Sequence, residues 1–244
     1  YKLVSIPQIL GPGFAVAIIP HITTALTLKD YDAIRGHVKK IFTSCTYIAY
    51  PVILLMILFA PQIYFIMYGD YFVELGADIL RWNLCVAALW IVMTLCSNTL
   101  MALQLKRFNL IWNIIDIILL VLFVTPVVTR GGYRGMYCLY MVMYCLFILM
   151  AATLMKLKFK VEFLPILKEI AKIVLSLAAI VLIWFACRFV TYDMYESGRL
   201  ITMFVTGFEC VLCMIGYLGV TVAMKLPETI FDIRIRDILA RLTK

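Results

Sequence analysis

Apolar residues along this chain come in seven long runs, at about 3–27, 41–68, 75–104, 108–128, 134–156, 165–190 and 199–224. Short charged or glycine-bearing breaks separate them, including Lys29 to Lys40, Lys106-Arg107, Arg130 to Arg134 and Lys156 to Lys160. A helix that crosses a bilayer needs roughly 20 mostly apolar residues, and each run supplies them. Strands of a membrane barrel would be about 10 residues long and would alternate apolar with polar positions, which these runs do not. The pattern predicts an all-α fold, a polytopic bundle of about seven transmembrane helices.

Two further segments carry a helical period with one apolar face. In 30–42, Ile34, Val38, Ile41 and Phe42 share a face away from Arg35, Lys39 and Lys40. In 227–244, Ile230, Phe231, Ile235, Ile238, Leu239 and Leu242 do the same against Arg234, Arg236 and Arg241. Both are expected to lie in the membrane interface, with basic side chains at anionic headgroups.

Composition agrees with the pattern: 65% of residues are hydrophobic, 15% are charged, and mean hydropathy is +1.02. A soluble domain carries about 45–50% apolar and about 25% charged residues. Charge also orients the helices, because cytoplasmic loops carry an excess of Lys and Arg. With the C-terminus cytoplasmic, 16 of the 22 basic residues fall inside, and only Lys2, Arg81, Arg130, Arg134, Arg188 and Arg199 fall outside. A miscounted span would scramble that alternation. The chain opens at Tyr1, already in apolar sequence and without a basic leader, and reads as a fragment of a longer protein.

Prolines and mid-span polar groups are the candidates for function. The first run contains Pro7, Gly11-Pro12-Gly13 and Pro20, so this helix is expected to bend and to face the bundle interior or a wet cavity. A static kink that improves packing is the alternative. Asp116 lies near the middle of the fourth run, with Asn113 three residues earlier on one face, and Glu209 lies mid-way along the seventh, beside Thr206 and Gly207. A mid-bilayer carboxylate costs roughly 2.5–3.5 kcal/mol on insertion scales and normally faces a cavity or a partner. Both acids are candidates for proton or cation coupling, or for interhelical hydrogen bonds without a transport role. Asn98 and Gln104 suit interhelical hydrogen bonding. Arg81, three residues after Asp78, suits a local ion pair or a substrate contact. Lys2 either snorkels or meets an anionic group.

Motifs for hydrolysis or nucleotide binding are missing: the histidines are His21 and His37, without a paired Glu, a G-x-S-x-G or a phosphate-binding lysine loop. No enzymatic activity and no nucleic-acid partner are expected. The eight cysteines lie in or beside apolar runs and read as small buried hydrophobes; Cys210-x-x-Cys213 lacks the second pair that a metal site would need.

Ile19-Pro20-His21-Ile22-Thr23, followed by the basic segment Ala25 to Arg35, resembles a repeated signature of the multidrug/oligosaccharidyl-lipid/polysaccharide flippase superfamily. Pro51, Phe59-Ala60-Pro61 leading to Ile66-Met67-Tyr68-Gly69, Ala102-Leu103-Gln104 before Lys106-Arg107, and Arg130 to Gly135 resemble further landmarks in the family's order over roughly 1–160. The likeness implies a second lobe: residues 1–156 similar to helices eight to twelve, 157–226 similar to two additional helices, and 227–244 a cytoplasmic tail. The pair of extra helices points to the branch of stage V sporulation protein B-like polysaccharide exporters and lipid II flippases. It further implies alternating access in a bacterial inner membrane, with the missing N-terminal lobe and an undecaprenyl-diphosphate-linked saccharide as partners. Lys2 stands near a cavity arginine of lipid II flippases, keeping the charge but not the bidentate fork. No cofactor is expected beyond coupling to a proton or sodium gradient. A cation-coupled multidrug antiporter and a non-transporting assembly subunit remain as alternatives.

Overall fold

The computed structural model describes residues 2–70, 72–191 and 198–231. They form helices and connecting turns: α1 (Lys2–Gln8), α2 (Leu10–Thr27), α3 (Tyr31–Leu58), α4 (Ala60–Tyr68), α5 (Val73–Ala102), α6 (Lys106–Phe159), α7 (Phe163–Thr191), α8 (Arg199–Ala223) and α9 (Leu226–Phe231). Among the described residues six helical stretches are long and apolar enough to cross a membrane, Leu3–Thr27, Tyr31–Leu58, Val73–Ala102, Lys106–Phe159, Phe163–Phe189 and Arg199–Ala223.

The fourth of these is two crossings. A straight helix of its 54 residues would run about 81 Å, against an apolar bilayer core of about 30 Å. Gly132 breaks it, at φ 57° and ψ −147°, a conformation that L side chains rarely adopt. Beyond it the chain runs back on itself. The rings of Trp112 and Phe147 lie 5.5 Å apart, and a methyl group on Gly135 would sit 2.7 Å from the Val127 carbonyl oxygen. The glycine-bearing break predicted at 130–134 is thus a tight reversal between an outgoing arm (106–131) and a returning arm (133–159), and seven apolar crossings result.

Two other breaks follow from proline. Pro12 has no N–H to offer the Gln8 carbonyl, and the first run divides there into α1 and α2, although Ile9 keeps helical angles. Pro20 does not end α2, which continues to Thr27; the next turn carries Thr23 Oγ1 donating to Ile19 O (2.5 Å) and Thr24 Oγ1 to Pro20 O (2.9 Å). Pro61 starts α4 in the second position, where its absent N–H costs nothing.

The amphipathic segment at 30–42 differs from expectation. It is the beginning of the continuous 28-residue helix α3, and Ile34, Val38, Ile41 and Phe42 are 0–4% exposed. Its apolar face meets protein rather than lipid. Of the second amphipathic segment, Leu226 and Ile230 are buried, while 232–244 lie outside the described residues.

Contacts divide the chain into two units. Unit 1 holds residues up to Cys45 and Ile79–Ile166; unit 2 holds Thr46–Asp78 and the residues from Leu167 onward. Residues 46–78 therefore group with the last helices. In unit 2 the core is Tyr47, Leu55, Phe59, Ile173, Ile180, Cys213, Tyr217, Leu226 and Ile230, with α4 packed on α8.

Burial is inverted relative to a water-soluble protein. On α8 the buried positions are Thr202, Thr206, Glu209, Cys213, Tyr217 and Thr221, three or four residues apart, whereas Leu200, Phe204 and Phe208 are 65–72% exposed. Lipid solvates Phe as well as a protein core does, so apolar burial gives such helices little reason to associate; packing and interhelical hydrogen bonds supply it. The inverted stripe is the sign of a helix whose solvent is hydrocarbon.

Candidate functional site

The first polar feature is a cleft in unit 1 between α2 and α3. α2 ends at Thr27, Lys29 turns the chain in the left-handed region (φ 56°), and Asp30 Oδ1 caps α3 by accepting from Ala33 N at 2.9 Å. The chain then returns beside α2, and residues equally far from Lys29 come level. His21 and His37, eight residues on either side, have ring centroids 5.6 Å apart.

Phe14, Ala17 and His21 on one helix face His37, Lys40, Ile41 and Ser44 on the other, around a cavity of about 360 Å³. Each set has helical spacing, so both line the cleft as stripes. Along the helix axes the Phe14–Ser44 level is about 10 Å from the histidine level. The cleft is accordingly graded: two imidazoles nearest the interhelical turn, Lys40 level with Ala17 and Ile41, and Phe14 with the hydroxyl of Ser44 farther along. An imidazole N–H and a lysine ammonium are donors, which suits an oxyanion. The apolar stripe beyond suits a hydrocarbon or a ring face.

The second feature lies in unit 2, where the α8 stripe closes on its neighbours. Thr191 Oγ1 donates to Glu209 Oε1 at 2.5 Å, and Glu209 is 2% exposed. Tyr217 Oη donates to Tyr47 O at 2.9 Å, and the Tyr47 and Thr221 hydroxyls lie 3.1 Å apart. Cys213 Sγ points at Ile180 O at 3.8 Å, and Ser176 Oγ donates to Ile173 O at 2.6 Å. Gln62, on α4 and 7% exposed, donates to Phe59 O (3.3 Å) and accepts from Arg188 Nη1 (2.8 Å) once its amide is turned to satisfy both. The Arg188 guanidinium also stacks over Trp184, 5.6 Å from its centroid. These polar atoms are mutually bonded, leaving the Thr206 hydroxyl as a buried group without a partner among the described residues.

The candidates read from the sequence do not converge. Asp116 is half-buried on the outgoing arm of α6, in line with buried Asn109 and Trp112, and close enough to Tyr144 on the returning arm for its charge to be felt there. Asn113, expected to share its face, is exposed: three residues is 300° of helix, and here the 60° remainder carries Asn113 off the packed stripe. Asn98 is half-buried and Arg81 exposed, both on α5, seventeen residues and about 25 Å apart. Arg81 and Asp78 each have interaction partners and are not free charges. Gln104 sits in the turn before α6 with φ 60°. The side chain of Lys2 lies outside the described residues.

Sequence reasoning missed His21, His37, Lys40 and Ser44 as a group. Their signal was the equal spacing about Lys29, visible only once the turn is known to be tight. It also missed Asn109, whose Nδ2 donates to Ser97 Oγ at 2.8 Å and links α6 to α5, because that residue stands at the very start of the fourth run, far from mid-span.

No family model and no solved structure matches the chain. Among curated proteins it is 26% identical over 129 residues to the lipid II flippase MurJ of Bacillus subtilis (strain 168), a match covering 52% of this chain and 24% of that protein. The chain thus spans about a quarter of the length of the relative it matches. A multi-pass helical membrane protein, it is similar over half its length to a flippase, a transporter rather than an enzyme.

Proposed function

We propose that this chain forms part of a flippase that moves a saccharide linked to undecaprenyl diphosphate across a bacterial inner membrane, from the cytoplasmic to the outer leaflet. The observation that carries this reading is the graded cleft between α2 and α3, with the imidazoles of His21 and His37 at its turn end, the ammonium of Lys40 level with Ala17 and Ile41, and Phe14 beyond. Such a substrate is itself graded, with an anionic diphosphate between a polar sugar and a hydrocarbon chain. Similarity to a lipid II flippase supports the same class. In this reading the histidines and Lys40 hold the diphosphate, and alternating access exposes the cleft to each leaflet in turn, with the C-terminus cytoplasmic.

Coupling to an ion gradient is a second element of the proposal, favoured by Asp116: a half-buried carboxyl within a spanning hairpin can take up a proton or cation during the cycle. Vesicles containing the full-length protein and a fluorescent undecaprenyl-diphosphate saccharide test the reading. Protein-dependent transfer between leaflets is expected. Transfer of drug-sized amphiphiles alone would replace it with a multidrug antiporter, and no transfer of either would leave an assembly role.

A further inference from the structure

A second cationic cavity, of about 260 Å³, lies in unit 1 where the returning arm of α6 ends beside the start of α3, lined by Tyr31, Arg35, Lys158, Phe159 and Lys160. Local sequence builds it. The α6 arm stops at Phe159, and Lys160 caps it in the left-handed conformation (φ 53°), its N–H returning to Lys156 O, so that Lys158 and Lys160 flank the helix end. The rings of Tyr31 and Phe159 meet at 6.4 Å and form an aromatic wall. Arg35 reaches from the next turn of α3, where Asp32, on the solvent side with 91% of its side chain exposed, pairs with it. Among the described residues neither Lys158 nor Lys160 has an ion-pair partner.

Lysines at a helix C-terminus always gain something from the last carbonyls, but that does not require a cavity or an aromatic wall. The surroundings here are those of a bilayer boundary. Leu157 is 76% exposed and Leu164 66%, on either side of the cationic group in the chain, so apolar surface for acyl chains adjoins it. Aromatic side chains at this level match the headgroup zone. A phosphodiester there would meet two ammonium groups, the guanidinium and the phenol of Tyr31, all donors.

The geometry points to a binding site for the phosphate group of an anionic membrane lipid at Tyr31, Arg35, Lys158, Phe159 and Lys160. Unlike the α2–α3 cleft, it presents no apolar stripe between two helices, and its ligand stays at the surface while substrate moves. Its test does not depend on transport, so it can fail or hold independently of the flippase reading.

Native mass spectrometry of the full-length protein with equal phosphatidylglycerol and phosphatidylcholine is the measurement. Phosphatidylglycerol is expected to be retained preferentially, and Lys158→Ala/Lys160→Asn, with Asn chosen because it tolerates φ > 0, to weaken that retention by roughly 30-fold. Lys156→Ala/Lys168→Ala removes the same charge outside the cavity and is expected to leave retention unchanged. Equal retention of the two lipids, or equal losses in the two double variants, would overturn the site. Displacement of the lipid by millimolar inorganic phosphate would overturn the lipid assignment in favour of a soluble phosphate compound.

Discussion

The α8 stripe of unit 2 and the α2–α3 cleft of unit 1 place their polar groups differently. In unit 2 the carboxyl and, apart from Thr206, the hydroxyls of the α8 stripe are bonded to neighbouring polar groups and backbone carbonyls, as in the Thr191–Glu209 and Tyr217–Tyr47 bonds. In unit 1 the cleft between α2 and α3 gathers His21, His37, Lys40 and Ser44 around open volume. A polar group whose bonding is complete holds helices together in lipid; polar side chains that border open volume can also meet a ligand. Polarity at membrane depth therefore does not by itself mark a site. Glu209 and Asp116 look alike in sequence, yet Glu209 is sealed, whereas Asp116 is half-buried in a hairpin.

Breaking the cleft is expected to have the largest effect. His21→Ala/His37→Ala removes two charge-assisted contacts to a diphosphate, each worth about 1.5–3 kcal/mol, and transport of the labelled substrate by reconstituted full-length protein should fall by roughly 100-fold or more. The unfolding temperature should stay nearly unchanged, since His21 is exposed and His37 only half-buried. Glu209→Ala is expected to act the other way: it removes the bond from Thr191, whose hydroxyl keeps Cys187 O as acceptor (2.9 Å), lowers stability by about 1 kcal/mol in a thermal unfolding assay, and leaves the specific transport rate of surviving protein intact. Reduced transport at unchanged stability would move Glu209 to the functional side of the comparison.

Asp116→Asn sharpens the distinction within unit 1. Transport should be impaired several-fold while expression and the elution profile are retained; unaltered transport would leave Asp116 a purely structural role. The smallest effect is expected for Tyr217→Phe, which deletes one interhelical hydrogen bond worth about 0.6 kcal/mol in membrane proteins. Its signature is a slight fall in unfolding temperature with transport at the wild-type rate.

Much of the fold was legible because bilayer thickness imposes a length on each helix. The seven runs correspond to the seven crossings, and the glycine-bearing break at 130–134 marks the reversal at Gly132 that divides the 54 residues of α6. The α8 stripe was also written in the sequence, at positions 202, 206, 209, 213, 217 and 221, but reading Glu209 singly hides a pattern in which every third or fourth residue is polar or small. Other features depend on distant chain and could not be read locally. Tyr47 and Tyr217 meet across 170 positions. The apolar face of 30–42 is equally suited to lipid or to protein, and only the surrounding helices decide that it meets protein. The cleft needed a turn tight enough to bring His21 level with His37, which Lys29 supplies by adopting a positive φ.

The cleft between α2 and α3 is the proposed substrate site. Photo-crosslinking tests it directly, with a photoreactive amino acid placed at Ala17 inside the cleft or at Ile215, 60% exposed on the lipid side of α8, in the full-length protein in membranes. Undecaprenyl-diphosphate saccharide is expected to be captured at position 17, capture to fall when His21 and His37 are replaced, and position 215 to give only the background of bulk lipid. Equal capture at the two positions, unaffected by the histidines, would contradict that assignment.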